Sequence, residues 1–185
     1  MTISVRQNVV RAAAWLILGF TTSLGAEVTP YAGQEQRAIK ALSEREIEDT
    51  LAGKGMGLAK AAELNHYPGP VHVLELAPKL GLHEAQITRT RAIHTAMQKE
   101  AVRVGQALVK SERELDRLFA SKAINAASLR TTLSEIGKLQ AEVRRVHLQA
   151  HLDQRVVLTE EQVQRYNVLR GYGANAAHAH EGHSH

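Results

Sequence analysis

Two histidines four residues apart are the clearest chemical feature of this chain. His147 and His151 form an H-x-x-x-H pair, in a sequence of 185 residues that contains ten histidines. At a spacing of four on a helix, both rings project from one face and can share a metal ion. No Glu follows His147, so the H-E-x-x-H signature of zinc hydrolases is missing. The pair predicts a metal site, and the alternative interpretation is a polar helix surface.

A helical hairpin would bring a third histidine to this pair. If the chain turns near residue 123, His151 lies 28 residues after the turn and His94 lies 29 residues before it. Antiparallel packing would then place the two rings at nearly the same height. Three imidazoles are enough protein ligands for a zinc ion with one open position. Glu100 is a candidate fourth ligand.

The end of the sequence is also rich in histidine. Residues 173–185 alternate small residues with imidazoles and include His178, His180, His183 and His185. Such a segment cannot bury a core, so we expect a disordered tail that chelates zinc, nickel or copper(II). With no Cys and only three Met, a copper(I) site is not expected. The alternative is a solvated tail with incidental metal affinity.

The composition favours long helices as the framework for these histidines. Hydrophobic residues make up 44% of the chain but aromatic residues only 4%, and all four prolines lie in its first half. A β-sandwich or barrel would need more β-branched and aromatic residues and more turns. The absence of Cys excludes disulfides, thiolate metal sites and cysteine nucleophiles. We therefore predict an all-α fold with a core of Leu, Ile, Val and Ala.

Short helices are predicted in the first part of the chain. Ser43 and Glu46 have the spacing of a capping box, which predicts a helix that ends by residue 53. The glycine-rich residues 53–57 then predict a turn. A second short helix is expected at about residues 58–64, and Pro70 suits the first turn of a third.

A long hairpin is predicted to follow. Apolar residues spaced three and four apart predict one helix over about residues 84–120 and a second over about residues 129–150. Residues 121–125 would form the turn between them. Neither helix can bury its apolar stripe alone, so the short N-terminal helices or a second copy must cover the remainder.

A clear helix start lies near the end of this region. Thr159 is predicted to be an N-cap, and Gln162 is placed to reach back to the backbone of the cap. Leu158 and Val163 have the spacing of a hydrophobic staple. A similar layout occurs 76 residues earlier, in residues 82–87, where histidine replaces the threonine.

The earlier copy completes a recognisable pair of motifs. Leu82 and Gln86 repeat the apolar residue and the amide, whereas His83 is expected to cap its helix poorly. Paired L-T-x-x-Q motifs that flank a long helical hairpin resemble the Spy/CpxP group of periplasmic proteins, including its metal-linked ZraP and CnrX branch. The resemblance covers about residues 70–172, and only the motif at His83 departs from the pattern.

This resemblance implies a fold and a class of function. The fold would be all-α, usually as a curved antiparallel dimer, and would act as an ATP-independent chaperone or a metal-responsive regulator of envelope stress. Metal sensors in the group take ligands from an N-terminal helix, which makes His72 a rival to His94. Histidine-rich ends recur in the zinc-linked relatives. The motif positions would be structural rather than catalytic: Leu82, Gln86, Leu158, Thr159 and Gln162.

Residues 1–26 predict a secretory signal peptide. Arg6 and Arg11 precede an apolar run at residues 12–20, and small residues follow this run. The run is shorter than the roughly 20 residues of a membrane-spanning helix, and an uncleaved anchor is the alternative. Cleavage would leave a helical domain at residues 27–172 and the tail in the periplasm. Removing the two arginines lowers the formal charge from +4 to +2, so nucleic acid is not an expected partner.

These features favour a binding protein, and no catalytic set of residues is recognisable. We expect a periplasmic, zinc-binding, ATP-independent chaperone that acts in envelope stress and heavy-metal resistance. Its partners would be unfolded envelope proteins or the ectodomain of a sensor kinase, and it would form a homodimer or a larger homo-oligomer. The alternative is a metal sensor or regulator that acts on a signalling partner without chaperone activity.

Arginines on the first long helix are candidates for contacting acidic clients during early encounter. The alternative is a solvated face on which they pair with neighbouring glutamates. The five residues are Arg89, Arg91, Arg103, Arg113 and Arg117.

Overall fold

The computed structural model describes residues 29–172, and this part of the chain is helical with no strand. The chain divides into two units, residues 1–32 and residues 33–185, and all seven helices of the described range belong to the second. They are α1 Glu44–Leu51, α2 Lys60–Glu63, α3 Pro70–Glu75, α4 Ala77–Leu80, α5 Glu84–Ala120, α6 Ala126–Arg155 and α7 Glu160–Leu169. The all-α prediction is confirmed. The predicted signal peptide and the histidine-rich tail lie outside the described residues.

Side-chain caps determine where the helices begin. Ser43 and Thr159 each form the predicted capping box, at the starts of α1 and α7. His83 forms one as well, because its Nδ1 accepts the Gln86 N–H at 3.4 Å and the Gln86 Oε1 accepts the His83 N–H at 3.2 Å. The expectation that His83 would cap its helix poorly is corrected, since both hydrogen bonds of the capping box are present. Its extended backbone places the ring nitrogen where a threonine hydroxyl would lie, although the resulting hydrogen bond is long.

The predicted hairpin is confirmed as the largest feature of the fold. Helix α5 has the bounds expected from the apolar spacing, and α6 begins three residues earlier and ends five residues later than the apolar pattern indicated. The earlier start follows from Asn125, whose side-chain oxygen accepts the N–H groups of Ala127 and Ser128 at 3.0 Å each. Lys122 has a φ of 56° in the turn, which reverses the chain between the two helices.

An apolar seam holds α5 and α6 together. The buried residues of the seam are Ala101, Val104 and Val109 on α5 and Ile136, Val143, Val146 and Ala150 on α6. Near the open end of the hairpin the seam becomes polar, where Gln154 Nε2 donates to Thr90 Oγ1 at 3.1 Å. Because both residues are buried, this hydrogen bond gives the Gln154 Nε2 atom a partner across the seam and fixes the register of the two helices.

Helix α1 packs very closely against α5 at a glycine. A Cβ atom on Gly105 would lie 2.3 Å from the carbonyl oxygen of Thr50, which is far inside van der Waals contact. Gly53, just after α1, makes a looser approach, since a Cβ there would lie 3.1 Å from Val102. The helices can approach this closely only because Gly105 has no side chain.

A second apolar core joins α3 and α4 to α7. Val73, Leu80, Leu158, Val163 and Tyr166 are buried together there. The predicted staple residues of α7 thus contribute to a core between helices.

The two helix-start motifs contact each other next to this core. Gln86 Nε2 donates to Gln162 Oε1 at 2.8 Å, and Gln162 Nε2 donates to Gln86 Oε1 at 3.2 Å. This reciprocal amide pair explains the repeated glutamine spacing: each glutamine closes its own capping box and binds the other motif.

The outer faces of the hairpin are solvated. All five arginines singled out on α5 are exposed. Arg103 pairs with Glu100 and Arg117 pairs with Glu114, each at 2.6 Å on the same helix, which favours the interpretation as a solvated face with ion pairs. Among residues 29–172, no helix is long and apolar enough to cross a membrane.

Candidate metal site

The structure brings the four predicted histidines of the helical domain to one cavity of about 590 Å³. His72 comes from α3, His94 from α5, and His147 and His151 from α6. The glycine-rich loop at residues 53–57 forms one wall, with α2 beside it. We call this space the histidine cavity. Segments that are far apart in the sequence therefore place imidazoles around a common volume.

His147 is the most buried of the four, with only 4% of its surface exposed. Its Nε2 atom has no hydrogen-bond partner among the described residues. Burial, with a smaller contribution from His151, holds the pKa of His147 below its ordinary value of 6.5. The ring is therefore neutral near pH 7, and a neutral imidazole is the form that binds metal ions.

His151 is held in a defined orientation. Its Nδ1 lies 2.7 Å from the carbonyl oxygen of Tyr67, so this nitrogen carries the proton and donates to the carbonyl. That bond leaves Nε2 with a free lone pair, as is usual for metal-binding histidines whose other nitrogen binds a carbonyl. A Cβ on Gly69 would lie 3.2 Å from Nε2 and 3.0 Å from Cε1, so glycine keeps the space beside the ring open.

His72 and His94 remain alternative third ligands. Both line the cavity, and His72 is partly exposed with its Nδ1 2.9 Å from Glu75 Oε2. His94 is half-buried on α5. The candidate fourth ligand Glu100 lies elsewhere, since its carboxylate binds Arg103 and it is not part of the cavity wall. His94 lines the cavity, as the antiparallel packing of the hairpin predicted, whereas Glu100 lies outside the cavity wall.

Glu63 is a cavity residue that the sequence did not reveal. Its Oε1 accepts hydrogen bonds from the hydroxyls of Tyr166 at 2.6 Å and Tyr172 at 3.2 Å, and lies 3.4 Å from Arg170 Nε. Its Oε2 accepts the Gly69 N–H at 3.2 Å. The carboxylate thus joins α2 to α7 at the edge of the cavity. Burial, together with this carboxylate, raises the pKa of Tyr166, so its hydroxyl stays a proton donor.

The glycines of the cavity wall were also missed as part of the site. A Cβ on Gly55 would lie 3.7 Å from His147 Nδ1, and Gly69 makes the closer approach to His151. The signal for Gly69 was its position between Pro68 and Pro70, which fixes an extended backbone beside a helix start. Nothing in the sequence connected either glycine to a histidine.

The cavity gathers these ligands without placing three of them at one point. Within residues 29–172, no three His, Asp or Glu side chains are grouped closely enough to hold one ion. The predicted convergence of three nitrogens is therefore not present in this conformation. The four histidines of the tail, His178, His180, His183 and His185, lie outside the described residues.

Comparison with known proteins adds no relative to this description. Scans against protein-family models, curated proteins and solved structures each gave no match. The resemblance to the Spy/CpxP group therefore depends only on the paired motifs and the hairpin, and it stays a prediction.

Acid is expected to destabilise the metal-free fold through His147. Because the pKa of His147 in the fold is below 6.5, the unfolded chain binds more protons at this residue as the pH falls below about 6.5. Its contribution to stability is complete above that pH and is lost as the pH falls through the lower pKa of the fold. The slope cannot exceed about 1.4 kcal/mol per pH unit for one proton.

Urea unfolding in EDTA between pH 7.5 and pH 5 measures this effect. The His147→Gln variant should show a shallower loss of unfolding free energy over the acid part of that range. Equal slopes for the two proteins would show that His147 does not titrate as its burial requires.

Proposed function

We propose that this chain is an exported, metal-responsive binding protein whose histidine cavity binds zinc. The observation that carries the proposal is the presence of His72, His94, His147 and His151 in the wall of one cavity. Four imidazoles from three separate parts of the chain are unlike a helix surface that happens to be polar. Nickel and copper(II) are further candidates, since both accept imidazole ligands.

The chemistry of the two α6 histidines supports zinc in particular. His147 offers a buried and neutral Nε2, and His151 offers an Nε2 whose ring is oriented by the Tyr67 carbonyl. Zinc binds imidazole nitrogen readily and needs three or four such ligands in tetrahedral geometry. His72 on α3 and His94 on α5 line the same cavity and are the candidates for the third ligand.

Zinc at this position would connect elements that are otherwise separately packed. Coordination by His147 and His151 together with His72 would tie α6 to α3, and coordination with His94 would tie α6 to α5. Glu63 Oε2 lies 3.7 Å from His151 Nδ1, and Glu63 Oε1 accepts hydrogen bonds from Tyr166 on α7 and from Tyr172 just after it. An ion at His151 would therefore also change the electrostatic environment of the carboxylate that contacts α7. Metal binding can therefore shift the equilibrium between arrangements of these helices.

The effector function that we propose is ATP-independent protection of unfolded proteins in the periplasm, under metal control. Its support is the resemblance of the paired motifs, together with exposed apolar side chains along the hairpin. Leu133 and Leu152 on α6 and Phe119 on α5 are each about half exposed. The alternative is a metal sensor that acts on a signalling partner and protects no client.

Aggregation of a denatured client protein, measured by light scattering, tests this function. The exported form of the chain should suppress scattering to different extents in zinc and in EDTA, and the His147→Ala/His151→Ala variant should lose that difference. Equal protection in zinc and EDTA would contradict metal control. Tight zinc binding without protection of any client would support the sensor instead of the chaperone.

A further inference from the structure

We infer that a second cavity, near the turn of the hairpin, binds a small apolar organic cation whose ammonium group pairs with Glu112. The cavity has a volume of about 470 Å³, within the range of roughly 300 to 1,000 Å³ that is typical of small-molecule sites. It shares no wall residue with the histidine cavity, so the inference does not depend on the proposed metal site. We call this space the Glu112 cavity.

The wall of the Glu112 cavity is mostly apolar and comes from two segments. Residues 39–41 cover one side, and the C-terminal part of α5 forms the other. Ile39 is fully buried, whereas Phe119 is about half exposed, so the aromatic ring lies where the wall meets solvent. Such a wall favours a ligand with an apolar body. The apolar residues of the wall are Ile39, Ala41, Leu115, Phe119 and Ala120.

Glu112 is a buried acid in this wall, and its carboxyl group has no partner. Only 9% of the residue is exposed, and the carboxyl group forms no hydrogen bond or ion pair within residues 29–172. Glu112 continues the apolar stripe of α5, three residues after the buried Val109. Burial alone raises its pKa, because a buried carboxylate is costly while it is unpaired. A ligand that brings a positive charge to the carboxylate would offset this cost.

The other two charged residues of the wall compensate each other. Lys40 Nζ lies 3.3 Å from Asp116 Oδ2, and the Lys40 backbone N–H donates to Asp116 Oδ1 at 3.1 Å. This pair connects residues 39–41 to α5 and is neutral as a whole. With Glu112 ionised, one lysine stands against two acids, so the wall has a formal charge of −1. That charge complements a monovalent cation and disfavours an anion.

Titration of residues 27–185 with three probes of similar shape tests the inference by ¹⁵N NMR. Hexylammonium carries a positive charge, 1-hexanol is neutral and hexanoate carries a negative charge. At pH 7.5 we expect hexylammonium to shift the amide signals of residues 39–41 and 112–120. It should bind about tenfold or more tightly than hexanol, since only the cation forms an ion pair with Glu112. Hexanoate should bind more weakly than either.

Two matched variants show whether Glu112 is responsible. Glu112→Gln preserves the size of the side chain and should weaken hexylammonium binding by about tenfold or more, while hexanol binding stays unchanged. Glu114→Gln removes the same charge two residues along α5, from an exposed acid that pairs with Arg117 outside the cavity wall. This control should bind hexylammonium as the wild type does. Circular dichroism verifies that both variants are folded.

The wild type provides a further test through pH. Because the pKa of Glu112 lies above its ordinary value of 4.5, more than half of this group is protonated at pH 4.5 in the free protein. A protonated carboxyl group cannot form the ion pair, so hexylammonium affinity should fall by at least about twofold between pH 7.5 and pH 4.5. Glu112→Gln should lack this fall, and equal pH dependence in the two proteins would contradict the role of Glu112.

Three other results would overturn the inference. Equal affinity of the wild type for hexanol and hexylammonium would make the cavity a site for neutral apolar ligands. Unchanged hexylammonium affinity in Glu112→Gln would place binding elsewhere on the molecule. The absence of saturable binding by any of the probes would show that the cavity is not a ligand site. None of these results bears on zinc binding at the histidine cavity, so the two proposals fail separately.

Discussion

The His147→Ala/His151→Ala variant should lose its tight zinc site, with affinity falling on the order of 100-fold or more. Both substitutions remove direct ligands, and removal of even an outer partner of a metal ligand costs about 10-fold to 100-fold. His147 contributes a buried Nε2 atom that has no other partner in the described structure, so its substitution removes a nitrogen that is free to bind the ion. Isothermal titration with zinc, in competition with a chelator of known affinity, measures the loss.

A matched control separates this effect from a general loss of imidazoles. His66 and His83 lie outside the cavity wall. The His66→Asn/His83→Ser variant removes two histidines while preserving the local backbone, since Asn tolerates the φ of 67° at position 66 and Ser is a good helix cap at position 83. It should bind zinc as tightly as the wild type. A comparable loss in both variants would mean that the cavity has no special affinity.

The Gly105→Ala variant should be destabilised by about 1 to 3 kcal/mol, the range typical of an overpacked core. The added methyl group would lie 2.3 Å from the Thr50 carbonyl oxygen, which belongs to backbone and cannot rotate away. Helix α1 must therefore move off α5, although the better helix propensity of Ala offsets up to about 1 kcal/mol of the cost. Urea unfolding followed by circular dichroism at neutral pH measures the difference.

Gly137 provides the control for this substitution. It lies inside α6, and a Cβ there would meet no atom within 4 Å. Gly137→Ala should therefore raise the free energy of unfolding by about 0.5 to 1 kcal/mol, through helix propensity alone. A stabilising effect at both positions would show that α1 does not pack on α5 as closely as described.

Local sequence signals predicted the helices well because the same residues determine them in the structure. The apolar spacing along α5 gave its bounds, and Ser43 and Thr159 marked the starts of their helices. His83 was misjudged because general capping preferences describe the average histidine. They do not describe one whose ring nitrogen is held towards a particular N–H.

The candidate site was predictable only in part, since a cavity depends on several segments at once. The spacing of His147 and His151 indicated a shared face, and hairpin geometry placed His94 near them. Glu63 could not be found in this way, because its partners Tyr166 and Tyr172 are more than 100 residues away in the chain. Gly69 could not be found either, because its close approach to His151 depends on how the loop packs against α6.

Anomalous diffraction at the zinc edge, from crystals of residues 27–185 grown with one equivalent of zinc, tests the central claim most directly. We expect one dominant zinc peak inside the histidine cavity, about 2.0 to 2.1 Å from nitrogens of both His147 and His151. A dominant peak that contacts neither of these histidines would contradict the assignment of the cavity as the metal site.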